Sequence, residues 1–579
     1  MNLIFLWLRR AAPRPWFWLC APLLLYSWTV TGPFISDDMH LILKAERYLG
    51  GESTDHALFR FARTDAEWDH LRNRGACPWW RTKGRQDFFR PIAEISFLAD
   101  VALFGRNPLG YRLMSLGVFA IALLSVHWMF RSAGADAIRA GAATFFFGIS
   151  QTTMAPVSWI CNRADLFVII GVTLAAGAYW SLRARPSIRW AVLAVVALAF
   201  GLLSKEAAIA LCGVLILHEM WMRWRKETGS SHSLVTATVV ILAMMTAGYF
   251  WYYLTSRPWA FNLAEAEANP SQFSSYWPLS ILLYFSVWVT GFPIDALLLA
   301  SPAQVMAVAV VGSLFGLVAL IYLRKSVRND PAAAFFAIWA ILFILPALPA
   351  LTVSARTLCV ATVGWTYLLS GLILPSREED VVIPALLRQW YYAANGVVSV
   401  GCIITMVMLV NSWEFGARER LGHMTARCQP GLSNGDLIVS LTTESAAETL
   451  CSADRLEFLT GHTDVVVAYP LPPGVQVSAQ IEDSHTLLLR STDETLFGSA
   501  IQRLALPQDW RPFVGDTIEM RDFKLEIAEV DDDDDVIALR LRFNDPISSP
   551  RLHIDPPQTV MQASAAGPIE RTLASDSSQ

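Results

Sequence analysis

Two adjacent carboxylates, Asp37 and Asp38, follow an apolar segment from Trp16 to Phe34 that is long enough to cross a bilayer. A carboxylate at a membrane surface can take the proton from an attacking hydroxyl, which is general base catalysis. Successive side chains diverge on a helix or a strand, so we expect separate roles, with Asp37 as the base and Asp38 orienting the acceptor or a cation. In the alternative, Ser36 and Asp37 only cap a helix that begins near Met39.

Four basic side chains are candidates for holding a phosphate group. Arg can bind a phosphate through two parallel hydrogen bonds, and Lys can bind it as a point charge. Each of these cations could instead extend to the lipid headgroups, but a topology derived without them places all four on the same outer side as the two aspartates. We therefore predict one common site. Its cations are Arg90, Arg163, Lys205 and Arg356.

Three further residues are predicted to support this site. Glu206 is expected to pair with Lys205 or with another cation, because unpaired charges at a membrane boundary are costly. Asp165 ends the same outer connection as Arg163, and His40 could assist the carboxylates. We assign no metal ligands, since no CxxC pair or His/Cys cluster is present, and expect no cofactor except that a divalent cation stays an open alternative.

The composition defines the class of protein. Hydrophobic residues make up 54% of the 579 residues and charged residues 16%, and the mean hydropathy is +0.40. These values are too apolar for a soluble protein and predict a polytopic α-helical membrane protein. Apolar runs predict about eleven transmembrane helices. They lie at residues 16–34, 110–130, 138–157, 165–182, 189–204, 207–222, 233–254, 303–323, 332–351, 357–375 and 392–411.

Basic residues set the predicted orientation. The start of the chain and several short connections are basic, which places them in the cytoplasm. Every second loop is then extracytoplasmic, including the long connection 35–108 with its interfacial helices, and so is the tail after Asn411. We interpret 277–299 as a re-entrant or interfacial helix broken at Gly291 and Pro293. The expected location is the bacterial plasma (inner) membrane.

The tail differs from the membrane part in charge and pattern. Up to Asn411 the chain has roughly nine more basic than acidic residues, and beyond it roughly fourteen more acidic than basic. Short β-type runs separated by turn residues predict a small β-sandwich or barrel-like domain over 412–556, with a disordered end at 557–579. The five aspartates 531–535 are interpreted as a turn between two strands. Residues 1–411 form the predicted transmembrane domain.

The eight cysteines divide by location. Cys428 and Cys451 flank one short extracytoplasmic segment and are the better candidates for a disulfide. A bridge between Cys77 and Cys161 is a weaker candidate. The remaining cysteines lie in or beside apolar runs, as small core residues do.

A series of short motifs runs through the membrane part: Asp37-Asp38, Phe89-Arg90-Pro91, Leu103 to Pro108 with Gly110-Tyr111, Trp159 to Asp165, Leu203 to Glu206, and Arg356. In this order they resemble the membrane region of the tetratricopeptide-containing protein O-mannosyltransferases and their bacterial relatives, which belong to the GT-C superfamily of glycosyltransferases. The resemblance covers roughly residues 16–411. The chain departs from it in having no 34-residue helical repeats and in having Ala355 before Arg356, where relatives usually have an acidic residue.

The resemblance implies an inverting membrane glycosyltransferase that uses a polyprenyl- or dolichyl-phosphate-linked sugar. It implies catalysis on the external face, with the base in the Asp37-Asp38 pair and phosphate contacts from Lys205 and Arg356. The acceptor, a protein, lipid or glycan, stays open, and no nucleic acid partner is expected. A lipid-linked sugar transporter (flippase) and a non-catalytic envelope assembly protein are the alternatives.

Overall fold

The computed structural model divides the chain into two compact units. The first consists of Met1–Thr64 and Gly84–Ser412, and the second of Asp65–Lys83 and Trp413–Gln579. The charge pattern does not predict that part of the first loop belongs to the second unit. The structure describes residues 15–76, 79, 86–226, 232–256, 270–292, 302–348, 354–374, 384–428, 431–441, 452–472, 475–492, 495–497, 512–531 and 535–555.

Helices make up most of the described chain. Several begin at residues that suit a helix start: Pro occupies the first turn at Pro91, Pro108 and Pro331, and Asn107 and Asp330 cap the helices that follow them. In chain order the helices are α1 (Pro15–Ser27), α2 (Asp37–Leu49), α3 (Asp65–Asn73), α4 (Pro91–Phe104), α5 (Pro108–Ser132), α6 (Ala137–Gly148), α7 (Met154–Ser158), α8 (Arg163–Ala184), α9 (Ile188–Ser204), α10 (Ala210–Trp224), α11 (His232–Ser256), α12 (Pro270–Thr290), α13 (Pro302–Asn329), α14 (Pro331–Leu342), α15 (Cys359–Ile373), α16 (Ala385–Tyr392), α17 (Ser399–Arg427) and α18 (Ser452–Thr460).

Seven helical segments among the described residues are long and apolar enough to cross a membrane. They are Pro108–Ser132, Ile160–Ala184, Glu206–Trp224, Ser233–Ser256, Ala303–Asn329, Ala355–Ile373 and Ala385–Ala426. Four shorter apolar helices, at Trp18–Thr31, Ile188–Ser204, Ser280–Thr290 and Pro331–Leu342, accompany them. The prediction of a polytopic helical membrane protein is confirmed at this level, whereas the predicted number of crossings is not.

Two predicted helical runs show where a helix is interrupted. The run 138–157 is not one helix: α6 ends at Gly148, and the Ser150 hydroxyl, accepting from the Thr152 amide, starts a separate 3₁₀ turn before α7. The described part of the run 277–299 belongs to α12, which ends at Thr290, just before the break predicted at Gly291. Gly291 has φ 67° and lies so close to the Ala394 carbonyl that a side chain would not fit. Pro293 lies outside the described residues.

The core of the first unit is packed most closely where α8 meets α9. Gly171 and Gly201 face each other there, and a Cβ on Gly171 would come within 2.6 Å of the Gly201 Cα. This close approach fixes the end of α9, and therefore the position of Lys205, which follows it directly.

The second unit combines two sheets. A parallel sheet has the order β10 (Leu552–Asp555), β3 (Leu437–Ser440), β4 (Val466–Ala468), with α18 between β3 and β4 in the chain. An antiparallel sheet has the order β5 (Val477–Ile481), β6 (Thr486–Ser491), β9 (Val536–Phe543), β8 (Phe523–Val530), β7 (Thr517–Glu519). A third, two-stranded sheet pairs β1 (Arg60–Ala62) with β2 (Gln86–Asp87) in the first unit.

These strands agree with the predicted β-type runs. Asp531 follows β8 and Asp535 precedes β9, and the Asp531 amide donates to the Asp535 carbonyl at 2.9 Å, whereas residues 532–534 of the predicted turn lie outside the described residues. The parallel pairing through α18 was not part of the prediction. It suits β3 and β4, which are buried along their whole length, as strands of parallel sheets are. One apolar core contains side chains from both sheets.

The segment from the first loop is joined to the second unit by specific contacts. Arg74 forms an ion pair with Glu457 at 3.0 Å, and the Trp79 indole N–H donates to the Pro470 carbonyl at 2.9 Å. Cys428 in this unit is a free thiol whose Sγ donates to the Met424 carbonyl. Cys451 and Cys77, the other halves of the two predicted bridges, lie outside the described residues.

Candidate active site

The two carboxylates lie at the start of α2. The helix begins at Asp37, preceded by Ser36 with φ 46°, a conformation that non-glycine residues seldom adopt and that often occurs at functional sites. Ser36 makes no side-chain capping bond to the helix. The contacts of the two aspartates extend to residues more than a hundred positions away, so the capping alternative does not account for their side chains.

Asp37 and Asp38 converge on one short turn, although adjacent side chains were expected to diverge. The Asp37 carboxylate accepts from the Trp159 Nε1 at 3.0 Å and from the Cys161 Sγ at 3.3 Å. The Asp38 carboxylate accepts from the backbone amides of Ile35 at 3.0 Å and Cys161 at 2.9 Å. Asp38 is 0% exposed, whereas Asp37 keeps partial access to solvent. Asp38 is thus held by backbone amides, and Asp37 is the member of the pair that keeps contact with solvent.

Burial raises the pKa of both carboxyl groups. For Asp37, the Cys161 thiol and the charge of Arg356 oppose that effect. For Asp38, burial and the neighbouring Asp37 charge raise the pKa to about 7, against two backbone amides and the charge of Arg112. A carboxylate whose pKa is raised towards neutrality is a better proton acceptor at physiological pH than an ordinary one.

Arg112 joins the two chain segments that carry these contacts. Its guanidinium donates to the Ser158 carbonyl at 2.8 Å and to the Pro33 carbonyl, and the side chain is almost fully buried. Gly32 leaves room for it, since a Cβ there would lie 2.9 Å from the Arg112 Cζ. Arg112 therefore aligns the segment before Asp37 with the segment before Trp159.

Arg356 belongs to the same cluster. Its Nη1 donates to the Asn162 Oδ1 at 2.9 Å, and its guanidinium lies 5.8 Å from the centre of the Trp159 ring. It is only half-buried, as a ligand-binding cation must be. Trp159 thus contacts both the candidate base and a candidate phosphate-binding cation.

Two more of the predicted cations are paired with the two predicted acidic partners. The Lys205 Nζ donates to the Asp165 Oδ1 at 2.7 Å, and the Arg90 Nη2 donates to the Glu206 Oε1 at 3.0 Å. Glu206 therefore pairs with another cation rather than with Lys205. The charges of Asp165 and Lys205 also act on the second pair, so the four residues form one electrostatic cluster.

Arg163 has a different environment. Its three guanidinium nitrogens bind Asp100 at 2.5 Å, the hydroxyls of Ser96 and Ser115, and the Tyr111 carbonyl. The side chain is 3% exposed. His40 stacks on the Phe61 ring at 5.2 Å, and its charge lowers the pKa of Asp37.

Short 3₁₀ turns at helix ends carry most of these side chains. Cys161 and Asn162 lie in the turn Ile160–Asn162, Lys205 precedes the turn Glu206–Ile209, and Arg356 lies in the turn Ala355–Leu358. Such turns expose backbone and side chains that a continuing helix would cover.

A metal ion would find ligands in this site. Asp37, Asp38 and Cys161 each offer one ligand atom, and these atoms lie within 4.8 Å of one another. Two carboxylates and a thiol form a donor set that Zn²⁺ accepts. Sequence spacing does not reveal this group, because Cys161 is far from the aspartates in the chain.

Trp159 and Arg112 were not among the predicted site residues, and Cys161 was predicted only as a weaker disulfide candidate. Trp159 and Cys161 lie within a motif that contributes to the family resemblance, which is the signal that could have directed attention to them. Arg112 follows the Gly110-Tyr111 motif inside an apolar run, where an arginine is costly unless it is fully bonded.

The chain matches no protein-family model and no curated protein. Among solved structures it is similar to the archaeal oligosaccharyltransferase AglB from Archaeoglobus fulgidus, in complex with an inhibitory peptide and a dolichol-phosphate (11% identity, TM-score 0.43, 78% of this chain and 64% of that one). It is also similar to ArnT from Cupriavidus metallidurans bound to undecaprenyl phosphate (12% identity, TM-score 0.38, 78% and 85%). A third similar structure is that of the arabinofuranosyltransferase AftD from Mycobacteria (14% identity, TM-score 0.37, 93% of this chain and 40% of that one).

These three proteins are GT-C superfamily membrane glycosyltransferases, the superfamily that the sequence motifs resemble. The chain spans 64% of the length of AglB and 40% of AftD.

Proposed function

We propose that this protein transfers a sugar from a polyprenyl-phosphate-linked donor to an acceptor hydroxyl on the extracytoplasmic face of the membrane, with inversion at the anomeric carbon. The observation that carries this proposal is the double contact of Trp159. Its indole N–H binds Asp37, and its ring lies against the guanidinium of Arg356. The proposed carboxylate base and the proposed phosphate-binding cation therefore contact the same aromatic ring, which brings together the two groups that a reaction between a hydroxyl and a sugar phosphate uses.

In the proposed reaction, Asp37 removes the proton from the acceptor hydroxyl. The acceptor oxygen forms a bond to the anomeric carbon while the bond from that carbon to the phosphate oxygen breaks. The polyprenyl phosphate leaves with the bonding electron pair, and Arg356 and Lys205 stabilise its negative charge. The proton stays on the Asp37 carboxylate until solvent removes it. Attack from the face opposite the leaving group inverts the configuration.

Asp38 is a positioning residue in this proposal. Its two oxygens hold the backbone amides of Ile35 and Cys161, which fix the turn carrying the thiol partner of Asp37. A divalent ion held by Asp37, Asp38 and Cys161 would supply a further positive charge for the phosphate. Arg163 is not part of the proposed phosphate site, because all three of its guanidinium nitrogens form hydrogen bonds within the protein.

The test is the transfer of radiolabel from polyprenyl-phosphate-linked sugars to membrane acceptors, with Asp37→Asn compared at matched protein level. We expect the rate to fall by about 100- to 10,000-fold, the usual contribution of a general base. Asp136→Asn is the matched control: Asp136 caps α6, a position where Asn is equally suited, so its rate should stay within about twofold.

If Asp37→Asn transfers sugar at the rate of the Asp136→Asn control, Asp37 is not the catalytic base. Movement of label across the membrane with no transfer, unaffected by Asp37→Asn, would favour the transporter alternative instead.

A further inference from the structure

Polar atoms in the electrostatic cluster of Arg90, Asp165, Lys205 and Glu206 are buried without hydrogen-bond partners. Within the described part of the chain, the Asp165 Oδ2 and the Glu206 Oε2 have none, and the Tyr249 hydroxyl interacts with the hydroxyl of Tyr253. The Asp165 side chain is 5% exposed and that of Glu206 14%. Each carboxylate uses its other oxygen for Lys205 or Arg90. Because buried polar atoms are nearly always hydrogen-bonded, these two carboxylate oxygens mark a place where a bound group supplies the partners, and the Tyr249 hydroxyl keeps capacity for a further hydrogen bond.

The three atoms belong to one region. The charges of Glu206 and Arg90 act on the Tyr249 hydroxyl, and the charge of Asp165 acts on Arg90. The neighbouring ring of Tyr253, 4.9 Å from that of Tyr249, is fixed by hydrogen bonds with both the amide and the carbonyl of Phe89. Helix α11 is thereby held against the segment that carries Arg90.

The chemistry of these atoms selects the ligand. A carboxylate oxygen can only accept a hydrogen bond and repels a phosphate, so Asp165 and Glu206 require a neutral group with donors. A tyrosine hydroxyl can both donate and accept. Several hydroxyls on one small ring meet all three requirements, and a sugar is such a group.

We propose that Asp165, Glu206 and Tyr249 bind hydroxyl groups of the donor sugar and so contribute to sugar specificity. This inference rests on the proposed function, because it takes the sugar to be attached to the phosphate that Lys205 binds. Lys205 and Arg90 keep the two carboxylates ionised and oriented. Lys205 also binds the phosphate that is attached to the sugar ring.

The experiment compares two ligands on the full-length protein in detergent: undecaprenyl phosphate alone, and a panel of undecaprenyl-phosphate-linked hexoses that includes mannose. The measured quantity is the ratio of their dissociation constants. Tyr249→Phe deletes one hydroxyl, and Glu206→Gln replaces one acceptor oxygen by an amide. Tyr252→Phe, on the exposed side of the same helix, is the matched control.

We expect Tyr249→Phe and Glu206→Gln to weaken binding of the sugar-loaded lipid by about 10- to 100-fold, while affinity for undecaprenyl phosphate stays within about twofold. Tyr252→Phe should change neither. An unchanged ratio in both variants, or an equal loss for both ligands, overturns the sugar site and leaves the proposed function standing if the wild type still transfers sugar. If the wild type binds neither ligand, the proposed function fails together with this inference.

Discussion

Arg163 and Arg356 were both predicted to bind the phosphate of a substrate, yet their surroundings are opposite. Arg163 is 3% exposed, and each of its three guanidinium nitrogens is bonded within the fold, with Asp100 (0% exposed) as the ionic partner. Arg356 is half-buried, lies against the Trp159 ring and donates to a neutral amide, that of Asn162. An arginine whose nitrogens are all used by the fold stabilises it, and one that donates to a neutral amide keeps its charge available for an anion.

Arg163→Ala tests the structural half of this comparison and should have the largest effect on stability. It leaves the Asp100 carboxylate buried without its cation, which typically costs about 3–5 kcal/mol. The measurement is thermal unfolding in detergent, with the exposed Arg189→Ala as control. Equal stability of the two variants would contradict a structural role for Arg163.

Arg356→Ala tests the binding half. A charge-assisted hydrogen bond contributes about 1.5–3 kcal/mol, so affinity for undecaprenyl phosphate should fall roughly 10- to 100-fold. Stability should change by no more than about 1 kcal/mol, because a half-buried side chain is removed. Binding and unfolding are measured on the same preparation, again beside Arg189→Ala. A large loss of stability with unchanged affinity would reverse the comparison.

Cys161→Ala should have the smallest effect of the three variants. It tests whether the region around Arg356 contains a catalytic base whose pKa the Cys161 thiol influences. The Cys161 thiol lowers the pKa of Asp37, so its removal raises that pKa. The base must be deprotonated, and a higher pKa leaves less of it deprotonated at a given acidic pH. The acid limb of the pH–rate profile should therefore move to higher pH, with rates converging at high pH.

Cys20→Ala, at an exposed thiol, is the control for that profile. An acid limb that stays in place for Cys161→Ala, or moves to lower pH, would show that the thiol does not tune the base.

The predictions for the membrane part succeeded where composition is sufficient. Long apolar runs must be helical in a bilayer, because their backbone groups have no other partners there, so most segments were found within a few residues. One predicted span is interrupted where capping starts a new turn, at Ser150. In the tail, the sequence pattern predicted the strands, but the parallel pairing of some of them depends on contacts between distant segments.

The sequence by itself determined a helical membrane protein with a β-containing tail, and the residue types of a candidate site at Asp37, Lys205 and Arg356. Hydropathy and charge determine these features, since both act locally along the chain. Only the tertiary structure decided that Trp159 and Cys161 contact Asp37, and that Arg163 is used by the fold itself. Hydrogen-bond partners are set by packing between segments far apart in sequence, and a local sequence pattern does not show which distant segments come together.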